Sequence, residues 1–169
     1  GGEGALMESA YEMLSDELGR ELRARGLTIS CAESCTGGLL TSTLTDIPGS
    51  SAYVMGSVVS YSNEVKSRVL GVSDETLSLY GAVSEETARE MAEGVRRLMQ
   101  TDIGVSITGI AGPDGGSAEK PVGLIYIAAT DRTHTIVEKN NFSGTRLENK
   151  NAVVEKALQM IYDVMRSSL

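Results

Sequence analysis

The order of apolar segments along the chain predicts a three-layer α/β/α fold on a mixed, mostly parallel sheet of about five strands. Three observations carry that prediction. Short β-branched runs alternate with segments whose apolar residues recur at helical spacing, the pattern of strands separated by helices. The last two strand-like runs, Val122 to Thr130 and Thr133 to Phe142, are separated only by Asp131 and Arg132. A connection that short joins antiparallel neighbours. With 169 residues, 41% of them hydrophobic and 22% charged, the chain can bury one globular core, and residues 1–169 read as a single domain.

Gly1 to Gly4 read as a frayed end or the remnant of an added tail. From Ala5 to Arg25 a helix is predicted, because Leu6, Ala10, Met13, Leu14, Leu18 and Leu22 recur at helical spacing and Gly26 supplies a stop. The apolar alternation after Leu27 suits a strand up to about Cys31, and Leu39 to Thr45 suits a helix. Asp46 to Ser51 is a loop by composition. Tyr53 to Tyr61 reads as a buried strand with Val54, Val58 and Val59 in it. Asn63 to Leu70 forms a short helix stopped by Gly71, and Asp74 to Tyr80 another, capped by Ser73.

Ser84 opens a longer helix, with Glu85 and Glu86 in the first turn where negative charge suits the dipole. Its buried stripe is Ala88, Met91, Ala92, Val95, Leu98 and Met99. Ile103 to Thr108 is a β-branched run and hence a central strand, leading into the glycine-rich loop Gly109 to Gly116. Thr145-Arg146-Leu147-Glu148 is a capping box, and the helix it opens turns Val154, Ala157, Leu158, Ile161 and Met165 to the core.

Composition removes several functions. The formal charge is −8, aromatics are 4% and tryptophan is absent, which argues against nucleic acid as a partner. No apolar run has the length to span a bilayer and no signal peptide is evident, so no membrane association is expected. Cys31 and Cys35 lack the second pair that a structural zinc site needs, and a reducing, cytoplasmic setting follows. There is no Gly-x-Ser-x-Gly elbow, no Gly-x-Gly-x-x-Gly and no Walker loop, so a histidine triad and the common nucleotide cofactors lose ground. The single histidine, His134, falls at an expected exposed strand position, and Glu33 and Asp114 read as structural carboxylates.

What remains is Ser34, where a strand hands over to a helix. The unsatisfied N–H groups of a helix start would favour an oxyanion or a bound anion, and Gly37 and Gly38 would let a ligand approach the backbone. The same residues also suit an ordinary tight turn. A serine without histidine needs another base, and a lysine serves if its amine loses its proton more easily. Lys66 is one candidate, in a helix capped by Ser62 or Asn63 whose dipole disfavours positive charge. Tyr61 could relay the proton or hold the lysine. A rim tyrosine and a solvated lysine are the plainer alternative. Cys35 competes with Ser34, because a thiol at a helix start can ionise readily. The loop after Thr108 could cradle phosphate through Gly109 and Gly112, helped by Lys120 and by the planar fork of Arg146. Surface loop and solvated cations fit those residues equally well.

Taken in order, Ala32 to Gly38, Gly56 to Lys66, Gly81 to Ser84, Thr108 to Pro113 and Lys120 to Gly123 resemble the CinA C-terminal domain family, the nicotinamide-nucleotide amidohydrolases. The resemblance runs from the first strand to the final helix. It implies a three-layer mixed-sheet fold and hydrolysis of nicotinamide mononucleotide to nicotinate mononucleotide and ammonia. It also implies no cofactor or metal, a phosphorylated nucleoside as the small-molecule substrate, and a homodimer. By similarity Ser34 is the nucleophile, Lys66 its base and Tyr61 an auxiliary, with Thr36, Gly37, Gly38, Thr108, Gly109, Gly112, Lys120 and Arg146 placed around the substrate. One segment departs from the family's pattern. Where members often carry Gly-Asp-Arg and then another Arg, this chain reads Gly144-Thr145-Arg146 and then Lys150. Two other readings stay open: a serine or cysteine amidase with a different substrate, and a non-catalytic nucleotide-binding module.

Overall fold

Small side chains on one face of the sheet and large ones on the other decide how the layers stack. The computed structural model describes residues 2–167. Its elements run α1 (Gly2–Arg25), β1 (Ile29–Glu33), α2 (Leu39–Thr45), β2 (Val54–Val59), α3 (Asn63–Arg68), α4 (Asp74–Tyr80), α5 (Glu85–Met99), β3 (Ile103–Gly109), β4 (Leu124–Thr130), β5 (Thr135–Asn141) and α6 (Arg146–Ser167). The sheet order is β2-β1-β3-β4-β5. β1 pairs in parallel with β2 and β3, while β4 is antiparallel to β3 and to β5. Only β4 runs against the rest, so the expected mixed sheet of five strands is observed.

On β1 and β3, Ile29, Cys31, Ile103, Val105 and Ile107 point into the main core. That core is closed by Leu18 and Leu22 of α1, Leu40 and Leu44 of α2, and Val154, Ala157, Leu158, Ile161 and Met165 of α6. The alternate residues face α5 and are small. Ser30 Oγ donates to the Val95 carbonyl at 3.2 Å and Ser106 Oγ to that of Ala88 at 2.6 Å. A Cβ on Gly104 would lie 2.4 Å from the Ala92 carbonyl oxygen, so glycine there sets how closely α5 approaches. Ala88 and Ala92 of α5 and Ala128 of β4 complete this thin layer.

Several boundaries and faces differ from expectation. α1 includes Gly2 to Gly4, which were expected to fray. The core contacts expected of Leu6 and Ala10 concern side chains outside the described set. Met13 is exposed, because Leu14, Leu18 and Leu22 already define the buried face. β2 is shorter than expected and is not a buried strand. It is an edge, with Met55 and Val59 each 47% exposed. Its pairing with β1 also slips, since Ile29 faces Val54 but Ser30 faces Gly56, leaving Met55 as an extra residue. Leu98 is exposed, because Ala92, Val95 and Arg96 already lie over the first residues of β1 and β3 and the last turn of α5 runs past them. The β4–β5 connection is four residues long, because the Asp131 carboxylate accepts from the amides of Thr133 and His134 and draws both out of the strand. His134 therefore sits in that turn, with Nδ1 3.1 Å from Asp131. Among the described residues, no helix is long and apolar enough to cross a membrane. Nor do three or more His, Cys, Asp or Glu gather as a metal site would require.

Candidate active site

β1 ends at Glu33, and the chain turns through Ser34 to Gly38 before α2 begins. Gly37 and Gly38 take positive φ values of 63° and 106°, a region costly for residues with a Cβ. The start of α2 does not offer the free N–H groups expected of it. Glu33 is 0% exposed and its carboxylate fills the position. Oε1 accepts from Thr36 Oγ1 (2.7 Å) and Leu40 N (2.9 Å), and Oε2 from Thr41 N (2.9 Å) and Thr41 Oγ1 (2.6 Å). Leu39 N donates to the Thr36 carbonyl. An oxyanion or phosphate at this helix start would meet an anion already in place. Thr36, Gly37 and Gly38 accordingly shape the turn and do not line the cleft described below.

Ser34 is 7% exposed, and its amide is committed to the Ile107 carbonyl at 3.0 Å. Its hydroxyl faces Lys66. Ser62 caps α3 by accepting from Val65 N at 3.2 Å, which fixes the helix so that Lys66 points inward. The lysine is 1% exposed. Nζ donates to the Ser60 carbonyl at 2.6 Å and to Ser34 Oγ at 3.1 Å. Burial strips water from the amine and pulls its pKa below the ordinary 10.5, against a smaller upward pull from Cys35. The expected cause was the helix dipole. α3 has only six residues and Lys66 lies in its last turn, so desolvation acts instead.

Cys35 lies beside Ser34 with its thiol 6% exposed. Burial pushes that thiol up to about 11, outweighing its own amide and the fields of Arg146 and Lys150, which pull it down. A thiol so protonated is a poor nucleophile at neutral pH. Tyr61 is 66% exposed and its hydroxyl accepts from Arg146 Nη2 at 3.4 Å. The amine is held by a backbone carbonyl, so Tyr61 does not fill the lysine-holding position open to it in sequence.

These groups border a cleft of about 260 Å³. Ser34, Cys35 and Lys66 share it with Tyr61, Arg146 and the loop from Thr108 to Gly112. Arg146 Nη1 donates to the Gly112 carbonyl at 2.6 Å and Asn149 Nδ2 to that of Ala111 at 3.0 Å, so α6 fixes the loop from outside. The amides of Ala111, Gly112 and Gly115 meet no protein acceptor among the described residues. Thr108 is buried and its hydroxyl is committed to the Ala82 carbonyl at 2.7 Å. Lys120 lies outside the cleft, because its amine donates to the Tyr80 carbonyl at 2.6 Å. Three positions given no part in the site by sequence also border the cleft: Asn63, weighed there only as a helix cap, and Ala82 and Val83. The segment Gly81 to Ser84 stood out by resemblance, and that was the available signal. Asp114, read as structural, lies on the rim, and nothing in sequence marked the Ser60 carbonyl as the lysine's anchor.

The model of the CinA C-terminal domain matches residues 11–165. A protein of Escherichia coli named nicotinamide-nucleotide amidohydrolase PncC is 46% identical over 158 residues, covering 93% of this chain and 96% of that protein. A CinA-like protein of Endomicrobium trichonymphae is 51% identical over 89% of this chain. This chain spans only 35% of that relative's length, and 38% of a competence-damage inducible relative from Halothermothrix orenii. A crystal structure of the competence/damage inducible protein CihA from Agrobacterium tumefaciens superposes with a TM-score of 0.90 at 42% identity, covering 92% of this chain and 95% of that one.

Proposed function

This chain belongs to the CinA C-terminal domain family, and on that premise we propose that it hydrolyses the carboxamide of nicotinamide mononucleotide, giving nicotinate mononucleotide and ammonia. The name of the E. coli relative supports the substrate class. The observation that carries the chemistry is Lys66 Nζ at 3.1 Å from Ser34 Oγ, buried on one wall of an open cleft.

Neutral Lys66 takes the Ser34 proton as Oγ attacks the carboxamide carbon. The resulting ammonium gives that proton to the departing nitrogen, which leaves as ammonia and forms a seryl ester. Lys66 then takes a proton from water, the hydroxide attacks the ester, and Ser34 is restored. Developing oxyanion charge is met by backbone N–H groups of the cleft, with those of Ala111 and Gly112 the candidates, since α2's are filled. Phosphate is drawn by Arg146 and Lys150, whose fields both reach Cys35. That local charge offsets a chain of net −8.

The same reading makes residues 1–169 one catalytic domain in a reducing, cytoplasmic setting, where the free thiols of Cys31 and Cys35 are at home. A homodimer is the assembly proposed. The test is to incubate the protein with nicotinamide mononucleotide and measure ammonia and nicotinate mononucleotide. Equimolar products are expected, Ser34→Ala should lose about 10⁴-fold or more in kcat while still binding substrate, and Cys35→Ala should stay active. Loss on Cys35→Ala with retention in Ser34→Ala would overturn the assignment. Tight binding with no ammonia from the intact protein would favour a nucleotide-binding module.

A further inference from the structure

We infer that Glu33 is the positioning residue that sets Ser34 and Lys66 against each other, an inference that rests on the serine–lysine reading above. Glu33 belongs to two hydrogen-bonded systems at once. Its side chain takes four donors from the turn and from the first residues of α2, which fixes the path of the chain on the far side of Ser34. Its backbone carbonyl accepts from Ser60 N at 2.7 Å and from Ser60 Oγ at 3.3 Å. Ser60 is fully buried, and its carbonyl in turn accepts from Lys66 Nζ. Glu33 is bonded covalently to Ser34, whose hydroxyl accepts from that same amine. The result is a closed circuit, Glu33 to Ser60 to Lys66 to Ser34 and back along the chain. Glu33 is the member that ties it to a helix.

The donor set explains why a carboxylate is required. Each oxygen accepts one backbone N–H and one hydroxyl. Glutamine has nearly the same shape, but whichever half carries its NH₂ would press that group against the N–H of Leu40 or Thr41. The turn must then shift, and Ser34 with it. A displacement of about 1 Å at a reacting centre can cost on the order of 10²-fold in rate. Glu33 touches no part of the cleft itself, so substrate affinity should move much less.

The test uses Glu33→Gln in the full chain, at a temperature where circular dichroism shows it folded. Two readouts are taken: kcat and KM on nicotinamide mononucleotide, and the rate at which a small fluorophosphonate labels Ser34, followed by intact mass. The second needs no knowledge of the substrate. The expected result is a kcat loss of about 10²-fold with KM within about 3-fold, and labelling slowed by a similar factor. A folded Glu33→Gln that is labelled as fast as the parent would overturn the inference. A parent protein that is neither labelled nor active would overturn the serine–lysine reading, and this inference with it. Should Glu33→Gln fail to fold, Thr41→Val removes one hydroxyl donor and keeps the carboxylate. It should slow labelling several-fold, and an unchanged rate would again overturn the inference.

Discussion

The turn after β1 and the loop after β3 leave neighbouring parallel strands at the same end of the sheet, and both are rich in glycine. In the first, the amides of Leu40 and Thr41 are consumed by the Glu33 carboxylate. In the second, Ala111, Gly112 and Gly115 keep their N–H groups beside an open cleft, with the loop pinned from behind by Arg146 and Asn149. A row of amides at the end of a strand holds a ligand only where the chain supplies no anion of its own. On the proposed reading, one turn is scaffold for Ser34 and the other is left to meet the substrate.

Substitutions at three positions test that division. The largest effect belongs to Lys66, which the scaffold side positions. Lys66→Arg keeps a charge that guanidinium does not give up, so kcat should fall about 10³-fold or more and lose its dependence on lysine ionisation. In the parent protein, the proposed activity should rise with pH through the lowered lysine pKa and level off before 10.5. Stability follows the same group. Between the folded value and 10.5 the unfolded chain holds a proton that the folded chain has released, so stability rises with pH there. Lys66→Met should flatten that slope in urea titrations. The middle effect belongs to the open loop. Arg146→Lys loses the fork that reaches both Gly112 and Tyr61, and should raise KM about 10-fold with kcat nearly unchanged, in steady-state assays. The smallest belongs to the closed turn. Gly37→Ala has open space around its Cβ but a φ of +63°, so it should cost about 1–2 kcal/mol of backbone strain and leave KM alone. Each kcal/mol lost should lower Tm by about 2–4 °C. A large rise in KM for Gly37→Ala would show that the first turn does meet the substrate.

Local chemistry was legible from the residues alone. Ser73, Ser84 and Thr145 cap the helices assigned to them, and Thr145 and Glu148 exchange reciprocal bonds as the box requires. These interactions span three residues, within reach of a pattern. What sequence concealed is non-local. Glu33 finds its donors seven and eight residues on, through a turn whose path depends on two positive φ angles. Tyr61 meets Arg146 across 85 positions, and Lys120 meets Tyr80 across 40. The edge position of β2 likewise depends on sheet order, which composition does not encode. Lys66 shows the boundary most clearly, because its spacing suited either a base or a solvated charge, and only burial against the end of the sheet removes the solvated one.

The irregularity at Met55 has a further consequence. Beyond it, Cys31 to Glu33 face Ser57 to Val59 residue for residue, and the chain then delivers Ser60 to the Glu33 carbonyl. Were Met55 instead taken into the ladder opposite Ser30, everything from Gly56 onward would move one place against β1, a step of about 3.3 Å along the strand with every side chain swung to the opposite face. The amine would then reach the wrong side of the sheet. Met55, outside the cleft and half in solvent, therefore acts as a phase correction between two strands, and deleting it should smooth the ladder while leaving the pairing from Gly56 to Ser60, and the turnover measured with it, in place.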